Sequence, residues 1–362
     1  VVKIKNMRVC ILGNGLSSLA LSKALVNEKI YVDVFCTKNI KKISQSRTVG
    51  ISKKNINFFN KNIININRFI WKLNKIHIFS DNLKNEKLLN FQNNNDQLFS
   101  IIKNHQLHEI LEKSLKKDKF FKKIKLKENF KFFDKYNIVI ITDNFDLITK
   151  KHFNKKIVKK YNSFAYTCIL DHQSISNNVA TQIFTKKGPL AFLPISNKKT
   201  SVVYSYKNFR KKEDQVIIDL INQYNFKYKI NKINKIESFE LKSLNLRSYY
   251  HNKFLAFGDL LHRIHPLAGQ GFNMTLRDIK IILNIIKKKR ELGLPIDYSV
   301  NKKFEEEIRH KNFIFSKGID LIYEFFNLES KLKSSFLSKS IQFTGNNPTL
   351  NKFFSSIADK GF

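Results

Sequence analysis

Apolar and polar positions change period several times along the chain, and each change marks an element. Val9, Cys10, Ile11 and Leu12 form a short continuous apolar run, the pattern of a buried strand within residues 7–12. Leu16, Leu19, Ala20 and Leu25 then recur at helical spacing over 16–26, and 30–35 predicts a second strand, which gives a βαβ opening. Residues 82–97 are rich in Asn and Lys with little period and predict a surface loop. A helix is expected at 106–115 and a β-branched strand at 137–142. From 164 to 206 strict alternation takes over at 181–185, 190–195 and 201–206. Turn signals at Lys187-Gly188-Pro189 and Asn197-Lys198-Lys199 separate these runs, so antiparallel strands are expected. The pattern closes with a helix at 213–224, a strand at 254–257, a helix at 271–287 carrying Met274, Ile279, Ile282 and Ile285, and helices from 301 onward.

This order predicts an α/β fold without internal repeats. A Rossmann-like nucleotide-binding domain is assembled from segments 1–75, 100–155 and 246–290. A mostly antiparallel sheet domain, 76–99 and 156–245, interrupts it, and a helical C-terminal region spans 291–362. The length, 362 residues, fits roughly two to three domains, and 42% hydrophobic residues exclude a disordered chain.

Charge changes the picture less than its size suggests. With 66 basic and 29 acidic residues the net charge is +37, a field that favours nucleic acid, acidic membrane surfaces or acidic partners. Lys, Asn, Ile and Phe are inflated together along the whole length, which marks compositional drift, and the lysine runs at 116–119, 122–127 and 287–290 read as solvated faces. No nucleic-acid module accompanies the charge, so no nucleic-acid partner is expected and a membrane surface ranks above it. Cys10, Cys36 and Cys168 lack C-x-x-C spacing and a neighbouring His cluster, so neither a disulfide framework nor a metal site is expected. No apolar run reaches the ~18 residues of a spanning helix. The N-terminal apolar run breaks into a glycine turn rather than a signal-peptide layout, so a cytoplasmic or matrix-type compartment is expected.

Candidate chemistry begins at Gly13-Asn14-Gly15-Leu16-Ser17-Ser18, between a strand and a helix. Gly13 permits the tight turn, Gly15 lets backbone N–H groups approach a diphosphate at the helix N-terminus, and Ser18 stands where a third glycine is usual. The second strand ends Val34-Phe35-Cys36-Thr37 without the acidic residue that would bind a ribose, and Asp33 lies too early or on the wrong face.

A second segment is far more specific: Gly258-Asp259-Leu260-Leu261-His262-Arg263-Ile264-His265-Pro266-Leu267-Ala268-Gly269-Gln270-Gly271-Phe272-Asn273-Met274-Thr275-Leu276-Arg277-Asp278. It resembles the second FAD motif of the para-hydroxybenzoate-hydroxylase-like flavoprotein monooxygenases, in the wording of the ubiquinone-biosynthesis hydroxylases. The resemblance implies that Asp259 accepts from ribityl hydroxyls. It also implies that Pro266, Gly269, Gln270, Gly271, Phe272 and Asn273 lie against the flavin, whose pyrimidine faces the N-terminus of the following helix. His262 and His265 read as packing or capping residues or, for His265 with Pro266 on the flavin-face loop, as catalytic candidates.

Ser46-Arg47-Thr48 resembles the family's arginine stretch, where Arg47 would neutralise diphosphate charge. Phe69-Ile70-Trp71 resembles its tryptophan stretch, with Trp71 read as core. Residues 188–195 resemble its substrate strand and Asn347-Pro348-Thr349 its C-terminal signature. In place of the usual Ala-Asp-Gly, the chain has Thr142-Asp143-Asn144, which keeps the carboxylate in Asp143. The resemblance implies an FAD-dependent monooxygenase, reduced transiently by NADH or NADPH, that uses oxygen to hydroxylate a polyprenylated phenol. Such a substrate places the protein peripherally on the inner face of a membrane among other ubiquinone-biosynthesis proteins. A hydroxylase of a small soluble aromatic and a non-catalytic flavoprotein or scaffold are the alternatives.

Overall fold

In the computed structural model the described residues are 7–36, 43–83, 86–92, 97–125, 131–143, 146–265, 269–332 and 339. The first sheet has six strands in the spatial order β16 (Tyr250–His251), β17 (Phe254–Ala256), β9 (Ile138–Ile141), β1 (Arg8–Leu12), β2 (Tyr31–Cys36) and β8 (Phe121–Lys125). All its pairs are parallel except β16 with β17. Parallel strands need cover on both faces, which is why β9 and nearly all of β1 are buried apolar runs rather than alternating ones.

Cover comes from α1 (Leu16–Asn27), α3 (Asn104–Lys116) and α6 (Gly271–Glu291), packed together through Leu19, Leu25, Leu107, Leu111, Ile279 and Ile282 among others. A three-stranded antiparallel sheet, β3 (Thr48–Ser52), β7 (Phe99–Lys103) and β4 (Trp71–Leu73), lies beside α2 (Lys53–Asn62) and the start of α6.

The third sheet has nine strands. Its path runs β18 (His262–Arg263), β15 (Glu237–Leu246), β10 (Lys156–His172), β13 (Lys199–Lys207), β12 (Gly188–Ser196), β11 (Val179–Thr185), β5 (Lys75–Ser80) and β6 (Lys87–Gln92), and β14 (Ile230–Ile233) also pairs with β10. Only β11 with β5 is parallel. One face buries Tyr166, Cys168, Leu170, Val202 and Tyr204 under Ile217 and Ile221 of α5 (Asp214–Tyr224). The short α4 (Asp146–His152) precedes this sheet, and α7 (Tyr298–Leu332) packs Phe315, Ile319 and Tyr323 onto its other parts.

The expected α/β class with an inserted antiparallel sheet and a helical C-terminal region is the observed one. One expectation fails. Residues 82–97 are not simply a loop, because β6 pairs antiparallel with β5 after a turn of 3-10 helix at Asp81–Leu83. The strand is an edge: Leu88 is buried, Leu89 and Phe91 are half-buried, and Lys87, Asn90 and Gln92 are exposed, so its polar positions masked the alternation. The 347–352 signature lies outside the described residues. No described helix is long and apolar enough to cross a membrane.

Candidate cofactor and active site

The turn between β1 and α1 can be formed only by glycine at Gly13. Its φ is +129°, its N–H donates to the Phe35 carbonyl at 2.9 Å, and a Cβ would come within 2.1 Å of Thr142 Oγ1 and 2.7 Å of Asp143 Oδ2. Gly15 is the exposed, extended N-cap of α1; the helix has no side-chain cap and no acidic residue in its first turn. Its first N–H groups are therefore free of the two usual intramolecular neutralisers and suit an anion. Ser18 is buried and turns its hydroxyl back to the Gly13 carbonyl at 2.8 Å, so it braces the loop where a third glycine is usual.

A ring nitrogen of His108 meets the Asn14 carbonyl at 2.9 Å, and exposed Asp143 accepts from the Asn14 N–H at 3.2 Å. Asn14 Oδ1 is buried without a partner, a polar atom left for a bound group. These features fit the diphosphate of a dinucleotide. The ribose side is different. Cys36 is buried and its thiol pKa is pushed up by burial, and Asp33 is engaged by the Tyr136 hydroxyl at 2.5 Å. Thr37 and Asn144 lie outside the described residues.

After β17 the chain turns at Gly258, φ +60°, against the first turn of α1; a Cβ there would lie 2.7 Å from Ser17 Cβ. This contact brings the exposed Asp259 beside the glycine loop, although the two motifs are far apart in sequence. Gly258→Ala is expected to lower the urea midpoint, because a left-handed Ala costs about 1–2 kcal/mol before the collision is counted. Adding Ser17→Gly should restore part of it. An unchanged midpoint in the single variant would refute the contact's importance.

Downstream, His262 is buried, with a ring nitrogen 2.7 Å from Asp278 Oδ2, and Arg277 donates to Asp278 Oδ1 at 2.9 Å. Burial alone would raise the Asp278 pKa, but Arg277 and His262 outweigh it and hold it below the ordinary value. His262 is therefore structural. His265 is 1% exposed, between Tyr161 and Tyr323 at ring-centroid distances of 4.9 and 4.4 Å, and neither ring nitrogen has a hydrogen-bond partner. Burial chiefly, and the Lys159 charge secondarily, push its pKa down to about 3, so it is neutral near pH 7.

Pro266 lies outside the described residues, as do Leu267 and Ala268. Gly269, φ +63°, passes over Gly50 of β3; a Cβ there would be 3.8 Å from its Cα. Gln270 is the buried N-cap of α6, Gly271 is exposed, and Phe272 packs at 6.4 Å on Phe59. The Asn273 amide is committed to the protein. It donates to the carbonyls of Gly50 and Gly269 and accepts from Ser52 N and Asn55 Nδ2. It clamps α6 to β3 and thereby fixes the loop, a role its sequence position did not distinguish from cofactor contact.

Arg47 is exposed, with its guanidinium 4.9 Å from the Phe239 ring, a cation–π contact with the large sheet. Trp71 is half-buried in β4 and donates to the Asn177 carbonyl at 2.6 Å, which anchors it as packing. Sequence reasoning missed His108 and the Ser46–Thr167–Glu237 hydrogen-bond cluster, where Ser46 Oγ meets Thr167 Oγ1 at 2.7 Å and Glu237 Oε2 at 2.5 Å. No local pattern signals contacts between such distant segments.

Comparison with known proteins gives two kinds of likeness. The 3-demethoxyubiquinol 3-hydroxylase of Escherichia coli is 28% identical over 174 residues, covering 45% of this chain and 44% of that one. The mitochondrial ubiquinone biosynthesis monooxygenase COQ6 of Drosophila melanogaster is 22% identical over 260 residues, covering 60% and 54%. The chain spans about half the length of the curated relatives it matches. The stated resemblance to flavoprotein hydroxylases of ubiquinone biosynthesis is borne out by these names. No family model matches the chain.

Among solved structures, p-nitrophenol 4-monooxygenase from Pseudomonas putida superposes with a TM-score of 0.76 at 10% identity, over 98% of this chain and 99% of that one. Klebsiella pneumoniae HpxO, complexed with FAD and uric acid, gives 0.76 at 10% identity over 98% and 97%. The chain has the fold of these monooxygenases.

Proposed function

We propose that this chain is an FAD-dependent monooxygenase that hydroxylates the aromatic ring of a polyprenylated phenol, a ubiquinone precursor. The observation that carries the reading is the meeting of Gly258 with Ser17, which brings Asp259 beside a glycine loop built for a diphosphate. In this reading segments 1–75, 100–155 and 246–290 hold the cofactor, and 76–99 with 156–245 supply the substrate side. The relatives' names support the substrate class.

FAD, when bound, would supply the redox chemistry, with NADH or NADPH as reductant and oxygen as co-substrate. The chain's own residues would bind and orient. The N–H groups of the α1 N-terminus and Gly15 would take the diphosphate, and Asp259 would take ribityl hydroxyls. The N-terminus of α6, with no acidic residue in its first turn, offers positive potential to the flavin pyrimidine, and Asn273 holds Gly269 and Gly50 in place. His265 stays neutral and buried between Tyr161 and Tyr323, both ring nitrogens without a partner, and braces the entry to the loop. A prenylated substrate implies peripheral attachment to the inner face of a membrane and proximity to other ubiquinone-biosynthesis proteins.

The purified protein is expected to show a flavin absorption spectrum, to oxidise NADH or NADPH, and to add one oxygen to a prenylated phenol by mass spectrometry. Absence of flavin from folded protein even with excess FAD would sink the enzyme reading. It would favour a scaffold, the role to which the missing carboxylate after β2 lends its support.

A further inference from the structure

Large apolar side chains stand in the open on one face of α7: Phe313 and Ile314 are each 53% exposed, Leu321 71% and Leu328 52%. Ile314, Leu321 and Leu328 recur every seven residues and so share one stripe, opposite the buried Phe315, Ile319 and Tyr323. The start of β10 extends the patch. Ile157 is 43% exposed and shares a strand face with Lys159, which reaches Glu324 of α7 at 2.8 Å. A shallow, open depression of about 430 Å³ lies along α7 beside Lys159, lined also by Lys317, Gly318, Asp320, Leu321 and Glu324. Clustered exposed apolar groups rimmed by charge mark interaction surfaces.

We propose that this α7–β10 face docks on an anionic lipid surface; the inference rests on the reading of a membrane-borne substrate given above. Charge selects the occupant. Lys311 and Lys317 are exposed beside the stripe against one exposed carboxylate on its line among the described residues, Glu307, while Glu324 is paired by Lys159 and the Asp320 carboxylate accepts the Tyr161 hydroxyl. A second copy would bring another +37 chain against this one, whereas anionic headgroups neutralise the lysines as Ile314, Leu321 and Leu328 enter the acyl boundary.

The face also lies near the candidate site. Asp320 at the depression touches Tyr161, and Tyr161 and Tyr323 enclose His265, so one layer of side chains separates this face from the residue that leads into the flavin-face loop.

The test is co-sedimentation of the full chain with phosphatidylcholine vesicles, with and without phosphatidylglycerol, at low and raised salt. Folding is checked by far-ultraviolet circular dichroism. Binding to the anionic vesicles is expected to fall on the order of tenfold or more in Leu321→Asp/Leu328→Asp, while Phe209→Asp, at an 81% exposed aromatic in the segment between β13 and α5, leaves it unchanged. Lys317→Glu should weaken it and flatten its salt dependence. Wild-type binding unaffected by the α7 changes would overturn the face while leaving the membrane reading intact. No wild-type binding would overturn both. A lipid-free dimer that the double variant dissolves would assign the face to a second copy and overturn the lipid proposal.

Discussion

Gly13→Val should abolish flavin retention outright. The replacement must adopt φ +129°, a conformation that a β-branched residue does not tolerate, and its Cβ would stand 2.1 Å from Thr142 Oγ1 and 2.7 Å from Asp143 Oδ2. Neither neighbour can withdraw cheaply. The Thr142 hydroxyl is buried and hydrogen-bonded to the Leu12 carbonyl at 3.0 Å, and Asp143 accepts from Asn14 N. The turn must therefore open, which breaks the Gly13 N–H bond to Phe35 and displaces the first turn of α1 from the position that Gly258 contacts. Strain of this kind costs roughly 3 kcal/mol or more, enough to weaken FAD binding a hundredfold even where the chain still folds. Gly15→Ala separates protein strain from ligand contact: a Cβ there finds Asp143 Oδ1 at 3.9 Å, ordinary contact distance, and φ is −78°, so the loop keeps its shape and any loss of affinity reports the close approach of the diphosphate. Flavin titration followed by fluorescence quenching checks both. Equal affinity in Gly13→Val and the parent would remove the loop from the binding site.

The legible parts of this fold are those whose signal is local. The strand, glycine turn and helix at Arg8–Leu12 and Leu16–Asn27 are written in consecutive residues, and so is the alternation of β11 to β13. The motif from Gly258 to Asn273 could be recognised because its residues serve one loop and one helix start. What escaped depends on partners far along the chain. The sheet of β3, β7 and β4 joins short strands that are unremarkable singly, and β6 hid its alternation under Asn and Lys. The bulge that interrupts the pairing of β10 with β15, between Lys160 and Phe164 and with Asn162 at φ +50°, left no regular period at the start of that long strand.

The same division runs through the site. Residue type marked Gly13 as the residue of a tight turn, and its φ of +129° and crowded Cβ position agree; Gly258, with φ +60°, makes the same demand without having been singled out. Residue type could not tell a ligand contact from a clamp at Asn273, whose four hydrogen bonds go to β3, α2 and the Gly269 carbonyl. Nor could it tell a structural histidine from an unsatisfied one. His262 and His265 are three positions apart, yet His262 is locked to Asp278 while His265 has both nitrogens unused.

That difference makes acid stability a direct probe of His265. In the unfolded chain its imidazole titrates near 6.5, whereas in the folded protein burial holds its pKa down to about 3. Above pH 6.5 both states carry the neutral ring and the residue costs nothing in charge. As the pH falls below 6.5 the unfolded state takes up a proton that the folded state refuses, so stability is lost progressively down to about pH 3. The slope is about 1.4 kcal/mol per pH unit, reaching roughly 5 kcal/mol at the end of the window.

His265→Phe keeps an aromatic ring between Tyr161 and Tyr323 and removes both the titration and the two unsatisfied nitrogens. Its urea midpoint is expected to match or exceed the parent's at pH 7.5, and the gap in its favour should widen as the pH is lowered. Carboxylates with depressed pKa values, such as Asp278 and Glu237, also lose stabilisation in acid, but they do so in both proteins and cancel in the comparison. Parallel stability curves from pH 7.5 to pH 4.5 would show that the folded protein protonates this imidazole as readily as the unfolded chain does. A His265 held neutral by burial between Tyr161 and Tyr323 would then be untenable.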